Sequence, residues 1–355
     1  MMRNKLLFWG ELPPQTLHGI SLSNKRILEA LEDVFDISVV EDLGNIHGIA
    51  PLIFQTLRFY SKVLFGSLKN IGVFYSNFPL SNFGALKTYI GILLVKFRSR
   101  ECQVFLHLHR GDLATFAKGS ISKMILKLLI NEASSVIVLS NKSKEEINSI
   151  YDGVSEKIHV LYNSVEVRNK NFMSGRDRKN RSFYCLCNYL KSKRIHSLVS
   201  LASNHKFKVS FNGFKPELDY MAHLDSLNSR GYCIFDGQIS GDAKEMKIRS
   251  AKALLLPSLN EGMPLVILES LSQGTPVICF DVGYISEYVG SDYPGLVSEL
   301  TDEAFLERIF WIDSISESKY EQLQKLSYDI FWMNYSSTTL ESKAIELFTS
   351  RINEV

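Results

Sequence analysis

Glu261 and Glu269 stand eight residues apart in a stretch whose residue types run strand, loop, helix, strand. A short apolar run ends at Pro257 and a polar loop follows. Pro264 can occupy the first helical position, and Gly274 then Pro276 close the helix before a second apolar run. Glu261 is thereby expected where the carboxyl end of a strand meets a helix N-terminus, the place at which open α/β sheets bind ligands. The backbone N–H groups of Gly262, Met263 and Leu265 would lack helical partners there and could hold an anion. Glu269 falls in mid-helix among residues expected to be buried, so its carboxylate needs a hydrogen-bonding partner. On spacing alone, the simpler reading is a solvated loop acid and a glutamate on the wet face of a helix.

The surroundings reverse that reading. Residues 257–278, Pro-Ser-x-x-Glu-Gly-Met-Pro-Leu-Val-Ile-Leu-Glu-Ser-Leu-x-x-Gly-Thr-Pro-Val-Ile, resemble the Glu-x7-Glu signature of family 4 retaining glycosyltransferases, and the resemblance continues through Asp281-Val-Gly-Tyr-Ile-Ser-Glu287. It implies a GT-B fold of class α/β: two facing Rossmann-like domains with the donor site in the cleft between them. It also implies roles. Glu269 accepts hydrogen bonds from the ribose of a nucleotide-sugar donor, and Glu261 holds hydroxyls of the donor sugar. Lys193, with the amides near Pro264, stabilises the diphosphate, and His109 contacts the sugar from the other domain.

The elements that must position these residues can be read along the chain. Lys5 to Trp9 reads as a strand, 10–20 as a loop, 21–35 as a helix with Ile27, Leu28, Leu31 and Val34 on one side, and 36–41 as a second strand: a βαβ opening. Its loop lacks the Gly-x-Gly-x-x-Gly of a nicotinamide site, which argues against a dehydrogenase. Gly19, just before the helix start, still lets backbone approach a phosphate, and in the family this loop reaches toward donor phosphates and acceptor. Strand 103–108 carries His107 and His109 on one face, but only His109 enters the turn that follows. Taken alone, His109 is a strand-end structural histidine; the resemblance moves it to the transferred sugar.

The segment 166–181 is polar, charged and without apolar period, and reads as a linker between an acceptor-side domain (1–165) and a nucleotide-sugar-binding domain (182–336). The last helix, 337–355, is expected to pack back on the first domain. After a strand at 183–187 comes Asn188-Tyr-Leu-Lys-Ser-Lys193-Arg194. Lys193 matches the family's phosphate lysine by position and would otherwise read as a surface lysine. Asn188 stands where many relatives carry arginine, and Arg194 replaces a glycine. The turn Phe235-Asp-Gly-Gln238-Ile239 resembles the one whose backbone holds the nucleotide base.

At 355 residues, two domains of comparable size are expected. No apolar run approaches the roughly 20 residues that span a bilayer, and the N-terminus does not read as a signal peptide. The five cysteines have no metal-ligand spacing, which fits a reducing cytoplasm. There is no Asp-x-Asp pair and no His-Glu-x-x-His, so no metal and no cofactor is expected beyond a UDP- or GDP-linked sugar as co-substrate. Charge is uneven: residues 49 to 127 hold eleven Lys or Arg against Glu101 and Asp112, while the whole chain carries only +2. With Phe54, Phe59, Tyr60, Phe65, Phe83 and Tyr89 interleaved, this suits peripheral contact with anionic membrane; the same stretch matches no nucleic-acid motif.

The expected activity is thus a retaining, metal-independent transfer of a sugar to a glycan or lipid-linked acceptor in bacterial surface polysaccharide synthesis, at the cytoplasmic face of the cell membrane. A nucleotide-sugar epimerase of the same architecture and a non-catalytic glycosyltransferase-like subunit are the alternatives.

Overall fold

The computed structural model describes residues 4–16, 18–42, 49–66, 68, 70–172, 182–214 and 218–350. The chain divides into two compact units, one of residues 1–164 with 337–355 and one of residues 165–336. Most of the segment read as a linker, residues 173–181, lies outside the described residues; its described part belongs to the second unit.

The first unit runs β1 (Asn4–Gly10), α1 (Gly19–Leu31), β2 (Phe35–Glu41), α2 (Ile49–Phe65), β3 (Val73–Asn77), α3 (Asn82–Arg98), β4 (Gln103–Leu108), α4 (Leu113–Phe116), α5 (Ser120–Glu132), β5 (Ser135–Val138), α6 (Asn141–Ile150) and β6 (Ile158–Val160), with the C-terminal helix α14 (Ser337–Ser350) added. Its strands pair in parallel in the order β2-β1-β3-β4-β5-β6. Side chains alternate across this sheet as a period of two requires. Leu7, Trp9, Phe74, Val104 and Leu106 meet α2, α3 and α5, whereas Leu6, Phe8, Tyr75, Phe105 and Ile137 meet α1 and α14. Gly91 lets α3 settle on the sheet, since a Cβ there would lie 2.8 Å from the Trp9 ring.

Helix α1 begins earlier and ends earlier than its periodicity suggests. His18 caps it, accepting from the Ser21 amide, so Gly19 is its first residue and not a loop residue before it. Val34 falls in the turn beyond, its amide bonded to the Leu31 carbonyl.

The second unit runs β7 (Phe183–Leu186), α7 (Ile195–His205), β8 (Val209–Asn212), α8 (Leu218–Leu227), β9 (Cys233–Phe235), α9 (Gly241–Ser250), β10 (Leu254–Leu256), α10 (Leu265–Ser272), β11 (Val277–Phe280), α11 (Ile285–Val289), β12 (Leu296–Val297), α12 (Asp302–Ser314) and α13 (Glu317–Asn334). Its parallel order, β9-β8-β7-β10-β11-β12, reverses direction between β7 and β10. A crevice opens at such a switch point outside the strands' carboxyl ends, and the loops after β7 and β10 are the ones that carry Lys193 and Glu261. All five cysteines are free thiols, with the sulfurs of Cys185 and Cys187 on one side, 3.8 Å apart.

Candidate active site

Strand β10 ends at Leu256, and the loop after it is packed from below rather than free in solvent. Glu261 is only 8% exposed. Gly283, in the turn after β11, has φ +58 and sits so close that a Cβ on it would lie 1.8 Å from the Glu261 carbonyl oxygen. The Tyr288 hydroxyl donates to the Gly262 carbonyl at 2.9 Å, and the Tyr335 hydroxyl donates to the Tyr288 carbonyl at 3.0 Å. Pro264 is the N-cap of α10, not its first helical residue: its ψ of 124° is extended, and its carbonyl accepts from the Ile267 amide. Of the three amides expected to face an anion, only that of Leu265 heads the helix; those of Gly262 and Met263 belong to the loop.

Across the switch point, Lys193 ends a 3-10 turn, residues Lys191–Lys193. Its Nζ lies 2.6 Å from Glu261 Oε1. A largely buried carboxylate is thus matched by the ammonium that the resemblance assigns to the phosphates, and the two form one site. Arg194 follows with φ 53 and ψ 33, a left-handed conformation that costs glycine little and arginine about 1 kcal/mol or more. That is the physical reason a glycine suits this position. The Arg194 guanidinium turns away from Lys193: it donates to Asp302 Oδ1 at 2.5 Å and lies 5.6 Å from the Phe280 ring centre.

Glu269 is half-buried on α10, and its carboxylate is held by Lys244 Nζ of α9 at 2.6 Å. The sequence shows that this carboxylate needs a partner but does not name Lys244, which lies 25 residues away on a helix with no motif of its own. A carboxylate accepts several hydrogen bonds, so Lys244 leaves Glu269 Oε2 able to accept others.

Two turns complete this end of the sheet. Asn188 Oδ1 accepts weakly from the Phe214 amide at 3.5 Å, joining the turns after β7 and β8. Gly213 makes that approach possible, since a Cβ there would strike the Cys187 carbonyl at 1.8 Å. Beyond β9 the Gly237 carbonyl accepts from the Gly213 amide and from Asn212 Nδ2. This anchors the turn carrying Gln238, which is exposed, and Ile239, which is half-buried.

His109 and Gly19 belong to the first unit, His109 just after β4 and Gly19 at the start of α1. The rings of His107 and His109 lie 3.8 Å apart, and His107 Nδ1 is 3.0 Å from the Tyr75 hydroxyl. Both Nε2 atoms are enclosed without a hydrogen-bond partner. Burial, reinforced by the neighbouring His18, pushes His109 down to about 3, and burial with His109 beside it holds His107 well below the ordinary histidine range. Both imidazoles are therefore neutral at pH 7. At Gly19 a Cβ would meet nothing within 4 Å, so space is open there. The adjoining helix N-terminus is already engaged, because His18 caps Ser21 and its Nε2 lies 2.9 Å from Glu11. Among the described residues no three His, Cys, Asp or Glu side chains converge as metal ligands.

Residues 167–328 match the family described as glycosyl transferases group 1. An O-antigen chain mannosyltransferase of Salmonella typhimurium is 26% identical over 177 residues, covering 49% of each chain. The chain spans about half the length of the curated relatives it matches first. Among solved structures, sucrose-phosphate synthase from Thermosynechococcus elongatus superposes with a TM-score of 0.80 at 15% identity, over 99% of this chain and 100% of that one. Anabaena HepE in complex with UDP superposes with a TM-score of 0.70 at 16% identity, over 98% and 100%. These likenesses show the fold: two parallel-sheet α/β domains of the GT-B type.

Proposed function

We propose that this chain is a group 1 glycosyltransferase, as the match of residues 167–328 supports, and that it moves a sugar from a nucleotide-diphosphate donor onto a glycan or lipid-linked acceptor of a bacterial surface polysaccharide, with retention of configuration and without a metal. The observation that carries this reading is the Lys193–Glu261 pair at the β7/β10 switch point, 2.6 Å apart, with Glu269 held one helix further on. The O-antigen activity in the name of the Salmonella relative supports the acceptor class, and the UDP complex of Anabaena HepE supports a nucleotide donor.

The chemical problem is departure of a diphosphate from a sugar carbon that becomes cation-like. Lys193 meets the charge that develops on the leaving group, aided by the Leu265 amide, which the start of α10 fixes in advance. A bound diphosphate competes with Glu261 for Lys193 and frees the Glu261 carboxylate to accept from sugar hydroxyls. Glu269 accepts from the ribose while Lys244 holds its other oxygen. Asn188 shapes the phosphate turn, and the turn of Gln238 and Ile239 borders the base. For His109, a neutral imidazole of the first unit, the sugar contact is what the resemblance implies, and the basic region 49 to 127 of that unit is read as contact with anionic membrane.

Ribose contacts are alike in ground and transition states. Lys244→Ala is therefore expected to raise the donor KM roughly tenfold, the scale of one hydrogen bond to a charged group, with kcat changed much less. Lys244→Arg should restore most of the affinity. Equal KM values in Lys244→Ala and the wild type would mean that Lys244 does not position Glu269 for the donor.

The reaction itself is tested with UDP- and GDP-sugars, a glycan acceptor and excess EDTA, reading the anomeric configuration of the product by NMR. Retained configuration and turnover that survives chelation are expected. Loss of turnover with EDTA and recovery with manganese would contradict the metal-free reading. Conversion of the donor sugar without acceptor would mark an epimerase.

A further inference from the structure

Helices α2, α3 and α5 lie side by side over one face of the first sheet, their inner sides supplying Phe59, Val63, Ile92, Val95, Leu126 and Leu129 to its core. Their outer sides are apolar too. Along α3 the exposed residues Phe83, Leu86, Ile90, Leu93 and Phe97 recur every three or four positions, a stripe running the length of the helix. Phe54, Leu57 and Phe65 extend it on α2, and Ile121 and Met124 on α5. Phe65 is 85% exposed and Phe97 76%, which rules out their service in the core. Soluble monomers rarely leave so many large apolar side chains contiguous in water.

The charged residues on these helices identify the occupant. Arg58, Lys62, Arg98, Lys123 and Lys127 are exposed beside the stripe. Lys87 is not among them, being buried against Asp42, and Lys96 is held by Glu132 at 2.8 Å. A second copy of this chain would bring basic residues against basic residues, whereas an anionic lipid surface complements them. We propose that the outer face of α2, α3 and α5 docks on an anionic bilayer, the apolar stripe entering the acyl boundary and the basic residues meeting the headgroup phosphates. This rests on the membrane contact read above and goes further, in making insertion of the α3 stripe the main attachment and charge the selector.

The test is flotation with vesicles of phosphatidylcholine alone and of phosphatidylcholine with phosphatidylglycerol, at low and high salt. One variant combines Leu86→Ser, Ile90→Ser, Leu93→Ser and Phe97→Ser; another combines Arg58→Gln, Lys62→Gln and Arg98→Gln. The wild type should float with anionic vesicles and keep part of its binding at high salt, where charge is screened but insertion is not. The serine variant should partition at least tenfold less, with an unchanged melting temperature and unchanged transfer to a water-soluble acceptor. The glutamine variant should lose its preference for anionic over neutral vesicles. Flotation of the serine variant like the wild type would overturn the proposal, and so would a wild-type dimer that those serines dissociate. Absent transfer to the soluble acceptor in the wild type would instead count against the proposed reaction, leaving the flotation result to decide the docking face.

Discussion

Lys193→Ala is expected to lower kcat by about a hundredfold or more, the scale for removing one preorganised donor from a developing negative charge, roughly 3 kcal/mol. The geometry adds a second consequence. Lys193 is the ammonium 2.6 Å from Glu261, which is 8% exposed, so the substitution leaves a largely buried carboxylate without its partner. Removing one member of such a pair costs more than the pair contributes, because the remaining charge is uncompensated. The variant should therefore melt at a lower temperature as well as turn over slowly. The double variant Lys193→Ala with Glu261→Gln separates the two effects: it should regain melting temperature, since the stranded charge is gone, without regaining turnover. A kinetically silent Lys193→Ala would move the phosphate role elsewhere in this turn. Arg194 is then the residue to replace, although its guanidinium is engaged by Asp302.

Gly283→Ala is expected to cost about a hundredfold in kcat/KM although residue 283 carries no chemistry, because a displacement of about 1 Å in a catalytic group loses that much. The reason is the 1.8 Å between a Cβ at residue 283 and the Glu261 carbonyl oxygen. The neighbour is backbone and cannot rotate aside, so the loop bearing Glu261 must shift. The left-handed φ of +58 adds about 1 kcal/mol of strain for alanine. Gly231→Ala supplies the control: its φ is +70, and a Cβ there meets nothing within 4 Å. It should lose a comparable amount of stability and no activity. If Gly283→Ala keeps wild-type kcat/KM, the Glu261 loop does not depend on that packing.

The β10–α10 stretch was legible in the sequence to within a residue because punctuation at Pro257, Pro264 and Gly274 bounds short apolar runs of distinct kind. The error at Pro264 is one of conformation, since a proline fits both the cap and the first turn and only its ψ separates them. The start of α1 was misplaced because a histidine cap closed by Ser21 resembles no common capping signal. Side-chain partners were less legible than elements. Burial at Glu269 demands a cation or donor, but several basic residues precede it, and only the packing of α9 against α10 selects Lys244. At Arg194 the departure from glycine is accommodated by a left-handed backbone and a bond to Asp302, neither of which residue types and spacing display.

In the first unit the excess of charge was plain and its orientation was not. Phe59, grouped in the sequence with the lipid-facing aromatics, is fully buried and stacks on Trp9 with ring centres 3.9 Å apart, and Tyr60 donates its hydroxyl to the Lys87 carbonyl. Phe54, Phe65 and Phe83 do face solvent. A helix apolar on both sides offers no periodic contrast, so α3 could not disclose which side lies against the sheet.

Lys193 and the β10–α10 loop are expected to hold a nucleoside diphosphate through its phosphates. Calorimetric titration of UDP, GDP and the matching monophosphates into the wild type and Lys193→Ala measures this. One diphosphate should bind the wild type more tightly than its monophosphate, and Lys193→Ala should abolish this difference while still binding the monophosphate. Undiminished preference for the diphosphate in Lys193→Ala, or no binding of either diphosphate to the wild type, would contradict it.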